Sequence, residues 1–267
     1  MADLIESVGG LLREVAATVV LPMYQHLAED DVEEKAPGDL VTVADRRAEE
    51  RISAGLLDLL PDSVVVGEEG VADDPAVLRR LREPGPVWLV DPIDGTGNFA
   101  GGRGPFAMMV ALLRGGAPVA GWIYQPLEET LAVAELGSGA YVDGVRATPN
   151  GDVLAASGLR GAATTRYLPQ DLRTAVRDGS SRISELLRPQ HCAGREYVDI
   201  VTGRQHFVIF WRTLPWDHAP GALMVEEIGG VVRRIDGAPY DLADDRYGLL
   251  ACASEAVWDQ VRAVLLS

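Results

Sequence analysis

The chain has 267 residues, 24 basic and 40 acidic, for a formal net charge of −16 at pH 7 with its four histidines neutral. Hydrophobic residues make up 47% and charged residues 24%. That composition suits a globular chain with its own core and excludes intrinsic disorder, collagen-like repetition and a disulfide scaffold. The acidic balance and the lack of a basic run argue against a nucleic-acid polymer as partner. A small phosphorylated ligand stays open, because carboxylates that hold divalent cations invert the local sign of charge. Cys192 and Cys252 show no metal or redox spacing and are expected to be free thiols, as in a cytoplasmic protein. The acidic N-terminus lacks a leader's basic start, and the early apolar run from Val15 to Met23 holds Pro22 and is too short to cross a membrane.

Along the chain, Leu4, Val8, Leu11, Leu12, Val15 and Val19 form one apolar stripe and predict a helix within 3–29. A polar break follows, ending in Pro37-Gly38-Asp39. Thr42 is placed to cap a second helix over 43–60, with Ala44, Ala48, Ile52 and either Leu56 or Leu59 inward and Pro61 as its stop. Val64-Val65-Val66 predicts a buried strand running into Gly67-Glu68-Glu69-Gly70, and 75–82 a short helix. Val87 to Val90 predicts a buried strand ending at Asp91-Pro92. Strands over 106–114, 117–125 and 130–135 then form an antiparallel meander, with a last turn and strand over 137–144. Beyond 145 the pattern changes. Short strands (153–157, 188–193, 206–211, 231–235, 248–253) alternate with helices (170–178, 195–203, 217–229, 254–266), as in a second α/β layer. The chain thus divides into an N-terminal α+β part, 1–145, and a C-terminal α/β part, 146–267, closely packed on one another.

Three segments carry carboxylates at strand ends or helix starts: Gly67-Glu68-Glu69-Gly70, Asp91-Pro92-Ile93-Asp94-Gly95-Thr96-Gly97 and Pro215-Trp216-Asp217-His218. Each alone has a plain reading: a solvated glutamate pair, a turn with an Asx cap, a helix N-cap. In the second segment, however, two aspartates three positions apart follow an apolar strand and precede Gly-Thr-Gly. Hard oxygen donors in that setting suit Mg²⁺, and the small residues allow backbone N–H groups to approach an anion.

Taken together, in order and with Asp39 to Asp45 as a fourth element, these segments resemble the inositol monophosphatase family of Mg²⁺-dependent, lithium-sensitive-type phosphatases. The resemblance spans nearly the whole chain. It implies the layered α-β-α-β-α sandwich of the inositol monophosphatase and fructose-1,6-bisphosphatase type, commonly a homodimer. It also implies two or more Mg²⁺ ions per site. Glu68, Asp91 and the Ile93 carbonyl would hold one ion, and Asp91, Asp94 and Asp217 a second. The N–H groups of Gly95 and Thr96 would bind phosphate. Thr96, with Asp45 behind it and Glu68 beside it, would activate the attacking water. The expected activity is hydrolysis of a small phosphorylated metabolite, with no role for a nucleic acid or a membrane.

Two positions depart from the family. Many members carry Thr or Lys where this chain has Gly97. Inositol-specific members carry a Glu seven residues before the Trp-Asp aspartate, where this chain has Phe210, whose ring cannot accept hydrogen bonds from a polyol. The leaving group is therefore read as something other than free inositol. Phe210 and Trp211 either face a flatter group or are strand core, with Arg212, Arg195 and His218 as further candidates for substrate contact. Phosphatases for histidinol phosphate, fructose 1,6-bisphosphate or adenosine 3′,5′-bisphosphate stay open. So does a non-catalytic relative that senses a phosphorylated metabolite or binds a partner protein.

Overall fold

The computed structural model describes residues 2–36, 39–148 and 155–266. Helix α1 (Ala2–Val15) passes through one π turn into α2 (Leu21–Met23). Val8, Leu12 and Val15 of the predicted stripe are fully buried, with Leu4, Leu11 and Val19 packed at its margin. The helix ends well before 29, where Tyr24 turns extended and Gln25 adopts a positive φ of 63°. The expected polar break contains a hairpin, β1 (Val32–Ala36) antiparallel to β2 (Asp39–Thr42). Charged side chains on β1 hid it from a pattern reading; the predicted turn at Pro37-Gly38 lies outside the described residues. Helix α3 (Val43–Leu59) starts as expected. Thr42 Oγ1 accepts from the N–H groups of Ala44 and Asp45, and Asp45 returns a bond to the Thr42 N–H, a capping box. Leu56 is buried and Leu59 is 38% exposed, which resolves the choice between them.

Next come β3 (Val64–Gly67), α4 (Glu68–Asp73), a 3-10 helix over 75–82, β4 (Pro86–Asp94) and α5 (Thr96–Ala100). Glu68 and Glu69 open α4 directly after the end of β3. The meander follows as β5 (Ala107–Arg114), β6 (Ala117–Gln125), β7 (Thr130–Glu135), β8 (Gly139–Val142) and β9 (Val145–Arg146). These strands form one seven-stranded sheet in the order β3-β4-β5-β6-β7-β8-β9, with β3 parallel to β4 and every other pair antiparallel.

The remaining elements are β10 (Arg160–Ala163), α6 (Gln170–Gly179), β11 (Glu185–Leu187), α7 (Ala193–Val201), β12 (Phe207–Phe210), α8 (Pro215–Glu227), β13 (Val231–Arg234), β14 (Leu249–Cys252) and α9 (Glu255–Leu265). Their sheet runs β11-β10-β12-β14-β13, with β10 parallel to both neighbours. Two strand expectations shift. Of 153–157, residues 153–154 lie outside the described residues and Ala156–Gly158 is a 3-10 turn, the strand forming at β10. The strand expected over 188–193 is the earlier β11, and α7 begins at Ala193; the edge strand is too short to show a period.

Five layers result. Helices α1 and α3 cover one face of the large sheet through Leu12, Ile52 and Leu56 on Trp88, Val110 and Trp122. Helices α7 and α8 lie between the sheets, where Tyr197, Leu223 and Met224 share a core with Met109, Ile123, Val208 and Ala251. Helices α6 and α9 close the far side through Val176, Val257 and Val261 on Phe207 and Ile209. Strand β5 shows why its sequence is almost continuously apolar: alternate side chains enter cores on both faces. The middle layer is tight, since a Cβ on Gly221 would lie 2.1 Å from the Tyr197 ring. Both cysteines are free and buried. Among the described residues no helix is long and apolar enough to cross a membrane.

Candidate active site

The ends of β3 and β4, the starts of α5, α7 and α8, and the C-terminal ends of β10 and β12 surround one cavity of about 340 Å³. Glu68, Asp91, Ile93, Asp94, Gly95, Thr96 and Asp217, widely separated in the chain, all line it. Phe210, Arg212 and His218 also line it, and Asp45 stands behind Thr96.

Strand β4 delivers the central pair. Asp91 is 2% exposed, and its Oδ1 accepts from the Ile93 N–H at 3.0 Å. Burial first, and then the nearby Glu68, Asp94 and Asp217 carboxylates, push its pKa well above the usual range. Asp94 plays a second part that its motif does not reveal. Its carboxylate accepts from the N–H groups of Ala193 (3.0 Å) and Gly194 (2.6 Å) and from Cys192 Sγ (3.1 Å), capping α7 from the other sheet's side. Gly95 is forced to be glycine: its φ is +89°, and a Cβ would lie 3.2 Å from the carbonyl oxygens of His191 and Pro105. Thr96 Oγ1 lies 3.0 Å from the Ile93 carbonyl and 3.3 Å from Asp45 Oδ1, with one proton to share between them. Asp45 is fully buried, and burial lifts its pKa to about 7 against the lowering effect of the Thr42 hydrogen bonds.

Glu68 and Glu69 are oriented by two residues that sequence reasoning missed. Lys35, the only lysine in the chain, donates to Glu68 Oε1 at 2.8 Å and Glu69 Oε1 at 2.9 Å. Burial alone would lower the Lys35 pKa, but the two glutamates outweigh it and raise it. Glu49 accepts from the N–H groups of Glu69 (2.8 Å) and Gly70 (2.9 Å), supplying the cap that Gly67 lacks at the start of α4. Glu49 lies one turn beyond Asp45 on α3, so one helix face supports both the Thr96 and the Glu68 segments. That i,i+4 spacing is the signal that could have found it.

On the substrate side, two expectations are corrected. His218 Nε2 bonds the Arg212 carbonyl at 2.9 Å and Nδ1 meets the Tyr197 hydroxyl at 3.0 Å, so neither ring nitrogen is left for a ligand. Burial lowers its pKa to about 4, and the ring is neutral and structural. Arg195 does not line the cavity; its guanidinium is committed to Asp199 and Glu128. Phe210 is both core and wall. Its ring packs on Tyr197 (5.2 Å) and edge-on to His218 (4.7 Å) while bounding the cavity.

Residues 4–264 match the sequence profile of the inositol monophosphatase family. The chain belongs to that family. It is 32% identical over 245 residues to the probable inositol 1-monophosphatase ImpA of Mycobacterium tuberculosis, covering 90% of this chain and 86% of that one. It is 29% identical to the fructose-1,6-bisphosphatase/inositol-1-monophosphatase of Aquifex aeolicus, covering 83% and 81%. Among solved structures it resembles the Thermotoga maritima IMPase, with a TM-score of 0.81 at 26% identity over 100% of this chain and 99% of that one. The extragenic suppressor protein suhB of Bartonella henselae aligns with a TM-score of 0.79 at 28% identity, covering 97% and 93%. This inositol monophosphatase-family chain is a phosphatase, and the five-layer sandwich is its family's fold.

The donor set suits Mg²⁺: four carboxylates and a backbone carbonyl, all hard oxygens, lining one cavity in which the other three carboxylates help to raise the Asp91 pKa. As oriented here, Glu68 is turned to Lys35 and Asp94 to the start of α7. Among the described residues no three His, Cys, Asp or Glu side chains converge on a single point.

Proposed function

We propose that this phosphatase is a Mg²⁺-dependent phosphomonoesterase that releases phosphate from a small phosphorylated metabolite. Glu68, Asp91 and the Ile93 carbonyl would hold one ion, and Asp91, Asp94 and Asp217 another. Divalent cations bound there supply positive charge to the phosphate and acidify a water. The chain's own residues do the rest. The backbone N–H groups of Gly95 and Thr96 cradle the phosphate. Thr96 Oγ1 orients the attacking water, with Glu68 beside it, and relays its proton toward Asp45 Oδ1, whose pKa of about 7 suits a group that receives a proton near neutrality. No histidine is needed as base, consistent with a His218 locked in a structural role.

The observation that carries this reading is that Glu68, Asp91, Asp94, Thr96 and Asp217 share one cavity despite their separation in the chain. The family resemblance further supports a homodimer in the cytoplasm, and a division of labour between 1–145 and 146–267 about that cavity. The test is phosphate release with Mg²⁺ by wild type and Asp91→Asn. Asp91 is the cleanest position, since its carboxylate accepts from the Ile93 N–H two residues on, whereas Asp94→Asn would also uncap α7. Outer-shell changes at metal sites cost about 10–100-fold, so loss of a ligand charge is expected to cost at least ~100-fold with the fold kept. EDTA should stop wild-type turnover and Mg²⁺ restore it. Asp91→Asn active at the wild-type rate overturns the assignment.

A further inference from the structure

The turn before α7 brings to the cavity a residue that neither the acidic motifs nor the chemistry above uses. His191 lines the cavity along with Asp94 and Gly95 and is exposed. Its backbone is left-handed, with φ +55°. That region is easy for glycine and unfavourable for most other residues, so the surroundings must hold a histidine there. They do so from both sides. Asn98 Nδ2 donates to the Gln190 carbonyl at 2.9 Å and to the Pro105 carbonyl at 2.8 Å. The Gln190 N–H donates to Glu196 Oε1 at 2.7 Å, and Gln205 Nε2 fixes Glu196 Oε2 at 2.8 Å. Beyond His191, Cys192 Sγ and the N–H groups of Ala193 and Gly194 are tied to Asp94. The His191 carbonyl also abuts Gly95, where a Cβ would lie 3.2 Å from it. His191 is thus pinned beside the backbone proposed to cradle the phosphate.

The backbone is fixed, yet the side chain is unspent. Among the described residues the His191 imidazole makes no hydrogen bond, ion pair or ring contact. The polar side chains around it are already engaged: Cys192 with Asp94, Glu196 with Gln190 and Gln205, Asn98 with two carbonyls. His218 is held by Tyr197 and the Arg212 carbonyl, and the Phe210 ring on β12 has no hydrogen bond to offer. An imidazole can present one N–H donor and one bare nitrogen as acceptor, the same two roles that a hydroxyl group plays. A Cβ on Gly97 would meet nothing within 4 Å, so the start of α5 leaves room for the alcohol part of an ester.

We infer that His191 is a specificity-determining residue of this phosphatase: its imidazole hydrogen-bonds a hydroxyl of the alcohol close to the ester oxygen. The inference rests on the phosphatase reading above and adds a side-chain contact to the leaving group. Recognition of a hydroxyl then comes from the turn before α7, where the chain is clamped, rather than from position 210 on β12. The left-handed backbone at 191 is what holds an otherwise unengaged ring at the cavity.

The test uses three ester pairs that differ in hydroxyl groups near the ester, assayed with Mg²⁺. They are adenosine 3′-phosphate with its 2′-deoxy form, inositol 1-phosphate with cyclohexyl phosphate, and glycerol 1-phosphate with propyl phosphate. The readout is the ratio of kcat/KM, hydroxylated over bare, in wild type and in His191→Gly, a change that suits φ +55° and keeps the fold. At least one pair is expected to give a wild-type ratio of roughly three- to tenfold, the worth of one hydrogen bond, and His191→Gly to bring it toward one. His191→Asn, whose amide also tolerates this backbone, should keep part of it. A structural role would lower both members of a pair alike and leave the ratio where it was. Ratios at or below one in every pair, or a ratio unmoved by His191→Gly, overturn the inference and leave the phosphatase reading standing. If none of the six esters is hydrolysed, the phosphatase reading fails. Calorimetric binding of the same pairs then decides the inference: equal affinity for both members overturns it, and tighter binding of the hydroxylated member, lost in His191→Gly, supports it.

Discussion

Gly67 and Glu49 provide a sharp test of how the Glu68 segment is held. A Cβ built on Gly67 would lie 2.3 Å from Glu49 Cδ and 2.5 Å from each carboxylate oxygen, so Gly67→Ala must eject the Glu49 carboxylate. That carboxylate accepts from two N–H groups at the start of α4, at 2.8 and 2.9 Å. Bonds to a charged acceptor are worth roughly 1.5–3 kcal/mol each, and the burial that raises the Glu49 pKa takes back part of that sum. A net loss of roughly 2–3 kcal/mol is expected for Glu49→Ala, and a similar loss for Gly67→Ala. The two losses are one and the same. The three atoms nearest the new Cβ all belong to Glu49, and Gly67 has an ordinary extended backbone with φ −101° and ψ 157°. In the Glu49→Ala background, Gly67→Ala should therefore stabilise by about 0.4–1 kcal/mol, through the unfolded chain's reduced entropy. Urea unfolding of the four proteins measures this as a coupling energy of about 2–4 kcal/mol. Losses that simply add would refute the steric argument. Phosphate release should fall in both single variants, because Glu68 precedes the freed N–H of Glu69, and the double variant should not recover it.

Three further outcomes are expected. Thr96→Val removes the hydroxyl between Ile93 and Asp45 and should lower kcat by roughly 100-fold or more with the fold intact, while Thr96→Ser keeps most of it; stopped phosphate-release assays separate the two. His218 has a folded pKa of about 4 against an ordinary 6.5, so its contribution is complete above pH 6.5 and is lost as pH falls through 4. The full effect is about 3 kcal/mol, and the stability difference between wild type and His218→Gln should narrow by about that much from pH 7 to pH 4; parallel curves would show that the ring protonates freely in the fold. Arg234 is 1% exposed and donates to Thr213 Oγ1, to the carbonyls of Asp241 and Arg246, and to the Asp244 carboxylate. Arg234→Met strands those acceptors and should cost about 3 kcal/mol in urea unfolding, since removing one member of a buried ion pair leaves the other unmatched.

Much of this protein was legible in its residues alone. The stripe of α1, the Thr42 cap of α3, the meander from β5 to β7 and the order of the acidic segments all rest on local chemistry: side-chain period, capping, turn residues and the spacing of Asp91 and Asp94. The tertiary structure decided what local pattern cannot encode. Strand β1 is recognisable only through its partner β2, because strand pairing, rather than apolar alternation, holds its charged residues in place. Asp94 caps α7 across 99 positions, and Glu49 caps α4 across 20, since a carboxylate satisfies whichever backbone donors the packing brings to it. His218 and Arg195 carried the same residue types as true ligand contacts, and only their neighbours show that both are already spent inside the protein. Hydrogen-bonding capacity is finite, and how a group spends it depends on which partners the fold delivers.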